Sequence, residues 1–539
     1  MSPTSSPSSR IVPVAWLVLV LAALWGAQWW WQIGRPVPLE DAPSARIACV
    51  SYAPFRKPGE TPLDPHAFVS PERIDADLKA LSERFDCVRT YSQSFGLNAV
   101  PGIAQKYGMK VLMGIWLGRD KDLNDREVAM GIATAKAHPD VLRGVIVGNE
   151  VLLRGEQSPK AITGYLTQVR DAIRDTHVPV TYADVWEFWL RYPQMADAVD
   201  YITIHILPYW EDEPVAPEYA IKHVANVYAH VKESFPGRAV MIGETGWPSE
   251  GRPRRQASAS LVNEARYLRE FLRYAGSVDM PYNVIEAFAQ PWKRAQEGTV
   301  GGYWGIFDVN ARPKFSMQGP VVEEPNWING WYAGAAGLVL FSLLGFWRRD
   351  LANTRSRLAL ALAGFGTGTS IAWQGRRMIF DCRNEAEWIF TILLCVIATL
   401  TALYLARRVA ARLAGAALQL PDRRLRFGWM FGLAFYGLLM VFDGRYRDFP
   451  LGLFWPPALG FLLASLLETR DHCVVPIIEE RFMAWVLPLL AAVVVAQEAG
   501  LNPSTWLWLG VSFASAGSVM IEWRRAHRLY AHQAQAAHQ

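Results

Sequence analysis

The sequence predicts an α/β chain in two parts, a (β/α)8 TIM barrel and an all-α transmembrane bundle. Three observations carry this. Between residues 47 and 318, short apolar, β-branched runs alternate with polar helical stretches over short connections. Outside that region lie apolar runs long enough to cross a bilayer. The chain has 539 residues and 51% hydrophobic side chains, too long for one ordinary domain and too apolar for a wholly soluble enzyme.

In chain order, residues 1–10 read as a cytoplasmic tail. Residues 11–33 carry no charged side chain, and Trp29, Trp30 and Trp31 suit the membrane interface. The WWWQI that follows the apolar run is unlike a small-residue cleavage site, so the segment reads as an uncleaved anchor rather than a signal peptide. Residues 46–318 form the barrel, with strands expected at 47–52, 87–91, 110–116, 142–150, 179–184, 201–207, 239–244 and 282–290. The stretch PERIDADLKALSERF is a plausible barrel helix, with proline at its start and Ile74, Leu78 and Leu81 at helical spacing. An open doubly wound sheet would need a phosphate-binding glycine loop after an early strand, and SYAPFRKPGE is not one.

Apolar runs return at 327–347, 358–374, 388–406, 427–442, 449–467, 482–496 and 503–521, giving a seven-helix bundle over 327–522 and a tail over 523–539. With the anchor this makes eight spans. Arginines concentrate in alternate loops, at 348, 349, 355 and 357, at 407, 408, 412, 423, 424 and 426, at 470 and 481, and at 524, 525 and 528. The other loops hold chiefly Arg376, Arg377, Arg383, Arg445 and Arg447. The bias puts both termini in the cytoplasm and the barrel outside it. The stretch GFGTGTS at 364–370 offers either close helix packing or a polar lining, while Glu385, Glu387, Asp443 and Glu498 fall near expected span ends and read as solvated. A plain anchor and a conduit for glycan both remain open for the bundle.

The net charge of +4 is explained by the loop arginines and gives no warrant for nucleic-acid binding. The five cysteines show no paired metal spacing. Cys49 and Cys87 fall in expected strands, where two buried thiols are the simpler reading and a bridge is the alternative in an oxidising compartment.

A barrel places its chemistry at the carboxyl ends of its strands. Tyr52, Tyr91, Trp116, Asn149, Glu150, Asp184, His205, Tyr209, Trp210, Glu244, Trp247, Glu286, Gln290 and Trp292 fall at or just past such ends, with Lys293 following. Aromatic faces with a few directed polar groups are what a pyranose ring needs, although some of these rings must simply fill the barrel mouth. Glu150 and Glu244 end the fourth and seventh strands. A carboxylate pair facing one anomeric centre suits glycoside hydrolysis, one giving a proton to the leaving oxygen and the other attacking carbon. No step calls for a cofactor or catalytic metal. His205 reads either as a satisfied core histidine or as a partner of substrate or carboxylate. Glu286 has two readings as well, pairing with Lys293 or bonding a sugar hydroxyl.

The motifs VIVGNEV at 145–151 and GETGWPS at 243–249 closely resemble the two signatures of glycoside hydrolase family 17, a clan A family of retaining β-glucan enzymes. RTYS at 89–92, EAFAQPWK at 286–293, YWGIFD and RPKF follow in the same order. The resemblance implies that Glu150 is the acid/base, Glu244 the nucleophile, and Asn149 the partner of the sugar 2-hydroxyl. In architecture the whole chain resembles bacterial membrane proteins described as β-(1→6)-glucan synthases. That likeness implies an inner-membrane protein with a periplasmic barrel, acting on β-glucan donor and acceptor, with the lipid bilayer as its other partner. Retaining chemistry allows transfer without a sugar nucleotide, since a second sugar hydroxyl can replace water as acceptor. A nucleotide-sugar transferase would use an Asp-x-Asp in a strand-end loop, but the one candidate, DAD at 75–77, falls in an expected helix. A barrel that only binds or exports glucan is the reading from another class.

Overall fold

The structure, a computed structural model, describes residues 11–347, 351, 353–415, 423–468 and 475–537. The expected tail at 1–10 and Arg348, Arg349 and Arg470 lie outside them. The chain divides into two compact units, Val37–Val321 and a second made of Met1–Pro36 with Val322–Gln539.

The first unit is built on seven parallel strands hydrogen-bonded in sequence order: β1 Val50–Ser51, β2 Cys87–Arg89, β3 Lys110–Ile115, β4 Leu142–Asn149, β5 Val180–Val185, β6 Ile202–His205 and β7 Val240–Glu244. All but Lys110, Arg143 and Val185 are buried, as expected for a sheet covered on both faces by crossover helices. The helix Pro71–Ser82 shows why these crossovers form. Ser70 caps it by accepting from the Arg73 amide at 3.3 Å, Pro71 starts it, and Ile74, Leu78 and Leu81 are buried on one stripe.

The eighth strand expected at 282–290 is not a regular ladder. The segment makes isolated parallel bridges, Val284 to Val50 and Tyr282 to Ile242, and so closes the curl between β7 and β1. Backbone bonds run on both sides, from the Ser51 amide to Val284 O at 2.9 Å and from the Asn283 amide to Ile242 O at 2.8 Å. Pro281 has no amide hydrogen to extend the pairing. The Asn283 side chain takes up Ser51 Oγ and Gly243 O instead, at 2.9 and 2.8 Å.

Cys49 and Cys87 form a disulfide, which corrects the reading of two free thiols. The register decides it. Val50 pairs with Val88 across β1 and β2, which puts the two preceding residues side by side with their Cα atoms 4.3 Å apart.

Among the described residues the second unit consists of helices Ile11–Ile33, Ile328–Trp347, Thr354–Asp381, Glu385–Leu413, Arg423–Asp443, Leu451–Leu467, Ile478–Gln497 and Pro503–Ala537. Four segments are long and apolar enough to cross a membrane, Ile11–Ile33, Glu385–Leu413, Arg424–Tyr446 and Pro503–Ala531; Ile328–Leu343 and Leu451–Leu467 are shorter apolar helices. The GFGTGTS stretch packs closely against a neighbouring helix. A Cβ on Gly337 would meet the Gly364 carbonyl oxygen at 2.2 Å, and one on Gly368 would meet that of Ala333 at 2.1 Å. Thr369 turns its hydroxyl back to Gly366 O at 3.0 Å. Arg376 and Arg377, expected in a loop, lie inside Thr354–Asp381, where Arg376 pairs with Glu324 at 2.6 Å and Arg377 with Asp448. Glu387 pairs with Arg383 and Asp443 with Arg447 at the helix ends, but Glu498 is buried, not solvated.

Candidate active site

The carboxyl ends of β2, β4, β6 and β7 converge on one cluster. The turn after β4 is set by its backbone. Gly148 has φ +86°, where a Cβ would meet Val151 Cγ2 at 2.9 Å, and Glu150 itself lies at φ +52°. A non-glycine residue held there stores of order 1–3 kcal/mol and needs surrounding bonds to keep it. These bonds run from the Glu150 amide to Ala183 O at 2.8 Å and from the Leu152 amide to Asp184 Oδ2 at 3.1 Å. The turn presents the Glu150 carboxylate with its side chain 23% exposed, the better exposed of the pair.

Glu244, the last residue of β7, is opposite His205 in the register with β6. His205 Nδ1 lies 3.0 Å from Glu150 Oε1 and 3.8 Å from Glu244 Oε2. One ligating atom from each of the three residues lies within 4.8 Å of the others. The two carboxylates therefore belong to one cluster. The same triad is the one group of three among the described residues with spacing that could hold a metal ion.

Glu244 is surrounded by donors. Arg89 Nη1 is 3.2 Å from its Oε1 and donates to Gly243 O at 2.6 Å, while Nη2 donates to Asn149 Oδ1. The Tyr91 hydroxyl donates to Glu244 Oε1 at 2.8 Å and lies 2.9 Å from Ser51 Oγ. Burial and the neighbouring Glu244 charge both hold the Tyr91 proton on. Burial pushes Glu150 up, but the His205 hydrogen bond and the charges of His205, Arg154 and Arg89 outweigh it and leave its carboxyl below the usual range. Burial raises Asp184 to about 6 against the Tyr182 and Val185 hydrogen bonds.

A second acidic group lies beside the pair. Burial raises Glu286 to about 7, opposed by Lys293, whose Nζ donates to Glu286 Oε1 at 2.8 Å. Glu297 is raised by burial as well, with Glu150 and Glu244 adding to the shift and Lys293 opposing it.

The aromatic candidates divide. Tyr52, Tyr209 and Trp247 belong to the core and correct the expectation of sugar contact. The Tyr52 hydroxyl donates to Asp77 at 3.1 Å, Tyr209 to Arg252 O, and Trp247 Nε1 to Ser258 O at 3.0 Å. Trp116, Trp210 and Trp292 keep exposed surface. Arg154 stacks on Trp116 at 4.3 Å, Trp210 stacks on Tyr209, and Trp292 Nε1 donates to Gln290 at 2.8 Å. The DAD aspartates hold structure: Asp75 bonds Lys106 and Tyr107, and Asp77 pairs with Arg56 and Arg73.

Arg89, Ser51, Asn283, Arg154, Glu127 and Glu297 were not among the sequence candidates. Arg89 alone carried a signal, an arginine inside the buried run CVRTY. Glu127 accepts from the Gln93 and Ser94 amides at 2.9 and 2.8 Å, fixing the loop after β2.

Residues 49–305 match the BtgE/BtgC glycoside hydrolase domain family. The barrel is a glycoside hydrolase domain. It is homologous to glucanases and glucanosyltransferases. A glucan 1,3-beta-glucosidase of Arthroderma benhamiae is 27% identical over 267 residues, covering 45% of this chain and 83% of that protein. One from Schizosaccharomyces pombe is 24% identical over 261 residues, covering 45% and 79%. Among solved structures, the family 17 β-1,3-glucanosyltransferase of Rhizomucor miehei is 25% identical, with a TM-score of 0.45, and covers 50% of this chain and 97% of its own. The family match lies within Val37–Val321.

Proposed function

We propose that the protein is a membrane-bound retaining β-glucan transglycosylase that forms β-1,6 linkages through a glucosyl-enzyme. The observation that carries this is the pair of carboxylates in one cluster, with ligating atoms within 4.8 Å. Retention goes with separations of about 5 to 5.5 Å, whereas inversion needs about 6.5–9.5 Å to admit a water. Glu244 is the nucleophile, since Arg89 and Tyr91 give it the donors an anion requires. Glu150, better exposed toward the mouth, is the acid/base. Asn149, oriented by Arg89, bonds the sugar 2-hydroxyl.

In the first half-reaction Glu150 protonates the glycosidic oxygen while Glu244 forms the bond to the anomeric carbon. In the second, an acceptor hydroxyl attacks that carbon and gives its proton to Glu150. Transfer exceeds hydrolysis when an acceptor is held in line at high effective concentration. Trp116, Trp210 and Trp292 have the exposed ring surface for such a platform.

The long apolar helices support a multi-pass protein of the bacterial inner membrane. The arginine bias and the Cys49–Cys87 bridge both support a periplasmic barrel, because such bridges persist in oxidising compartments. A membrane-tethered β-1,3-glucan hydrolase is the second reading, favoured by the names of the fungal relatives.

Incubating the purified protein with β-1,3-gluco-oligosaccharides and analysing product length and linkage distinguishes the two. Longer or branched products carrying β-1,6 bonds are expected; only shorter ones at high acceptor would leave a glucanase. Unchanged turnover in Glu244→Gln would refute both and leave a barrel that binds or exports glucan.

A further inference from the structure

We propose that Ser51, oriented by Asn283, is a positioning residue that holds the Tyr91 proton on Glu244 Oε1, so that Glu244 attacks through Oε2 and leaves readily when the glucosyl-enzyme breaks down. This rests on the retaining reading above. Ser51 on β1 and Asn283 in the closing segment are both 0% exposed, so neither touches a substrate and any effect on the chemistry passes through their neighbours.

Donor and acceptor rules fix the direction of each bond. Asn283 Nδ2 lies 2.8 Å from Gly243 O and 2.9 Å from Ser51 Oγ. A carbonyl oxygen only accepts, so the amide nitrogen must face it, and Ser51 Oγ then accepts from the same nitrogen. The Ser51 proton has one acceptor within hydrogen-bond distance among the described residues, the Tyr91 oxygen at 2.9 Å. Tyr91 has a single proton and gives it to Glu244 Oε1 at 2.8 Å, because a carboxylate can only accept. Donors aligned in this way strengthen one another. The two oxygens of Glu244 are thereby made unequal. Oε1 takes Tyr91 and, at 3.2 Å, Arg89 Nη1. Among the described residues no hydrogen bond reaches Oε2, which faces His205 Nδ1 at 3.8 Å.

In the first half-reaction an Oε2 lone pair forms the bond to the anomeric carbon, while the electron pair of the broken C–O bond leaves with the glycosidic oxygen and Glu150 supplies its proton. Glu244 is then an ester whose Oε1 is a neutral carbonyl oxygen. In the second, the acceptor oxygen bonds to carbon and its proton passes to Glu150. The electron pair of the C–Oε2 bond returns to Glu244, again a carboxylate. Donors on Oε1 hold a carboxylate more strongly than an ester, because the bond to an ionised acceptor is the stronger one. They therefore assist release of the sugar from Glu244 more than its capture.

The test is a double-mutant cycle in the full-length protein, Ser51→Ala, Tyr91→Phe and both together, with a 2,4-dinitrophenyl β-laminaribioside as donor. Its leaving group makes capture fast, so dinitrophenolate appears first as a burst set by the first half-reaction and then at a steady rate set by the second. Tyr91→Phe is expected to lower the steady rate about 10- to 100-fold, the scale of a hydrogen bond to a charged group, and Ser51→Ala about 3- to 10-fold. The burst rate should change less than about 3-fold in either variant. KM should fall together with kcat, because the covalent intermediate accumulates, and the intact mass should show the added glycosyl group. In the Tyr91→Phe background Ser51→Ala should have no further effect. Additive losses, or equal losses in burst and steady rate with KM unmoved, would show that Ser51 only supports the fold and overturn the proposal. If Ser51→Ala does not fold, Tyr91→Phe carries the test alone, since a variant without accumulation overturns it as well. Labelling the native protein with 2-deoxy-2-fluoro-β-laminaribiosyl fluoride separates the two levels: no adduct on Glu244 means that the retaining reading has failed, whereas an adduct with additive variants removes the role of Ser51 alone.

Discussion

Breaking the Cys49–Cys87 bridge by Cys49→Ala with Cys87→Ala is expected to destabilise the barrel by about 4 kcal/mol. The bridge closes a loop with a sequence separation of 38, and cross-linking a loop of that length removes about 13 cal/mol/K from the unfolded chain, or about 3.9 kcal/mol at 25 °C. At about 2.1 cal/mol/K of unfolding entropy per residue over Val37–Val321, this is a drop of about 6–7 °C in the barrel's midpoint. The sulfur atoms sit among Leu112, Ile146, Ala183 and Met241, so the alanines lose packing as well and the change should not be smaller than this. Tryptophan fluorescence of the full-length protein in detergent reads the transition. Thiol alkylation of protein taken directly from membranes, with and without reductant, reads the bond. Full alkylation of both cysteines without reductant, with a midpoint unmoved by reduction or by the double substitution, would refute both the bridge and the oxidising location argued from it.

Asp184 gives a pH signature. Raising a buried carboxyl from 3.8 to about 6 corresponds to about 3 kcal/mol. Because the folded value is raised, that stability is fully present below about pH 3.8 and is lost as pH rises through about 6. Asp184→Asn should therefore gain on the native protein by about 3 kcal/mol across that window in denaturant titrations, and parallel curves would contradict the assignment. Trp116→Ala is expected to raise KM for oligosaccharides about 5- to 30-fold without moving the melting point, the scale of 1–2 kcal/mol for a stacked ring. By contrast, Trp247→Ala should cost about 3–5 kcal/mol of stability, because that ring is buried; thermal scans beside kinetics separate the two. In the helical unit, buried Arg426 pairs with Glu480 and Glu522, each at 2.8 Å. Arg426→Met removes the cation between two buried carboxylates and should cost about 3–5 kcal/mol, read as earlier unfolding in detergent. No change there would mean that water reaches the cluster.

Chain chemistry alone determined much of this protein. Alternation of apolar strands with amphipathic helices marked the barrel, because period and length are local properties. Strand ends named Glu150 and Glu244, because a parallel barrel allows chemistry at one rim. Apolar runs of bilayer length marked the helices of the second unit, although not their ends: Thr354–Asp381 continues through two arginines because Glu324 and Asp448 neutralise them.

Only tertiary structure decided what needs a partner distant in sequence. Tyr52, Tyr209 and Trp247 looked like Trp116 and Trp210 as strand-end rings, and whether a ring faces the mouth or the core depends on what packs over it. Cys49 and Cys87 became a bridge through the β1–β2 register, which leaves no mark in spacing. The segment 282–290 read as a strand, yet its pairing is set by two edges that meet only when the sheet curls shut. Most of all, closure brings Arg89, Tyr91, His205, Glu150 and Glu244 from four strands to one point, and hydrogen bonding, which falls away within a fraction of an ångström, is decided there.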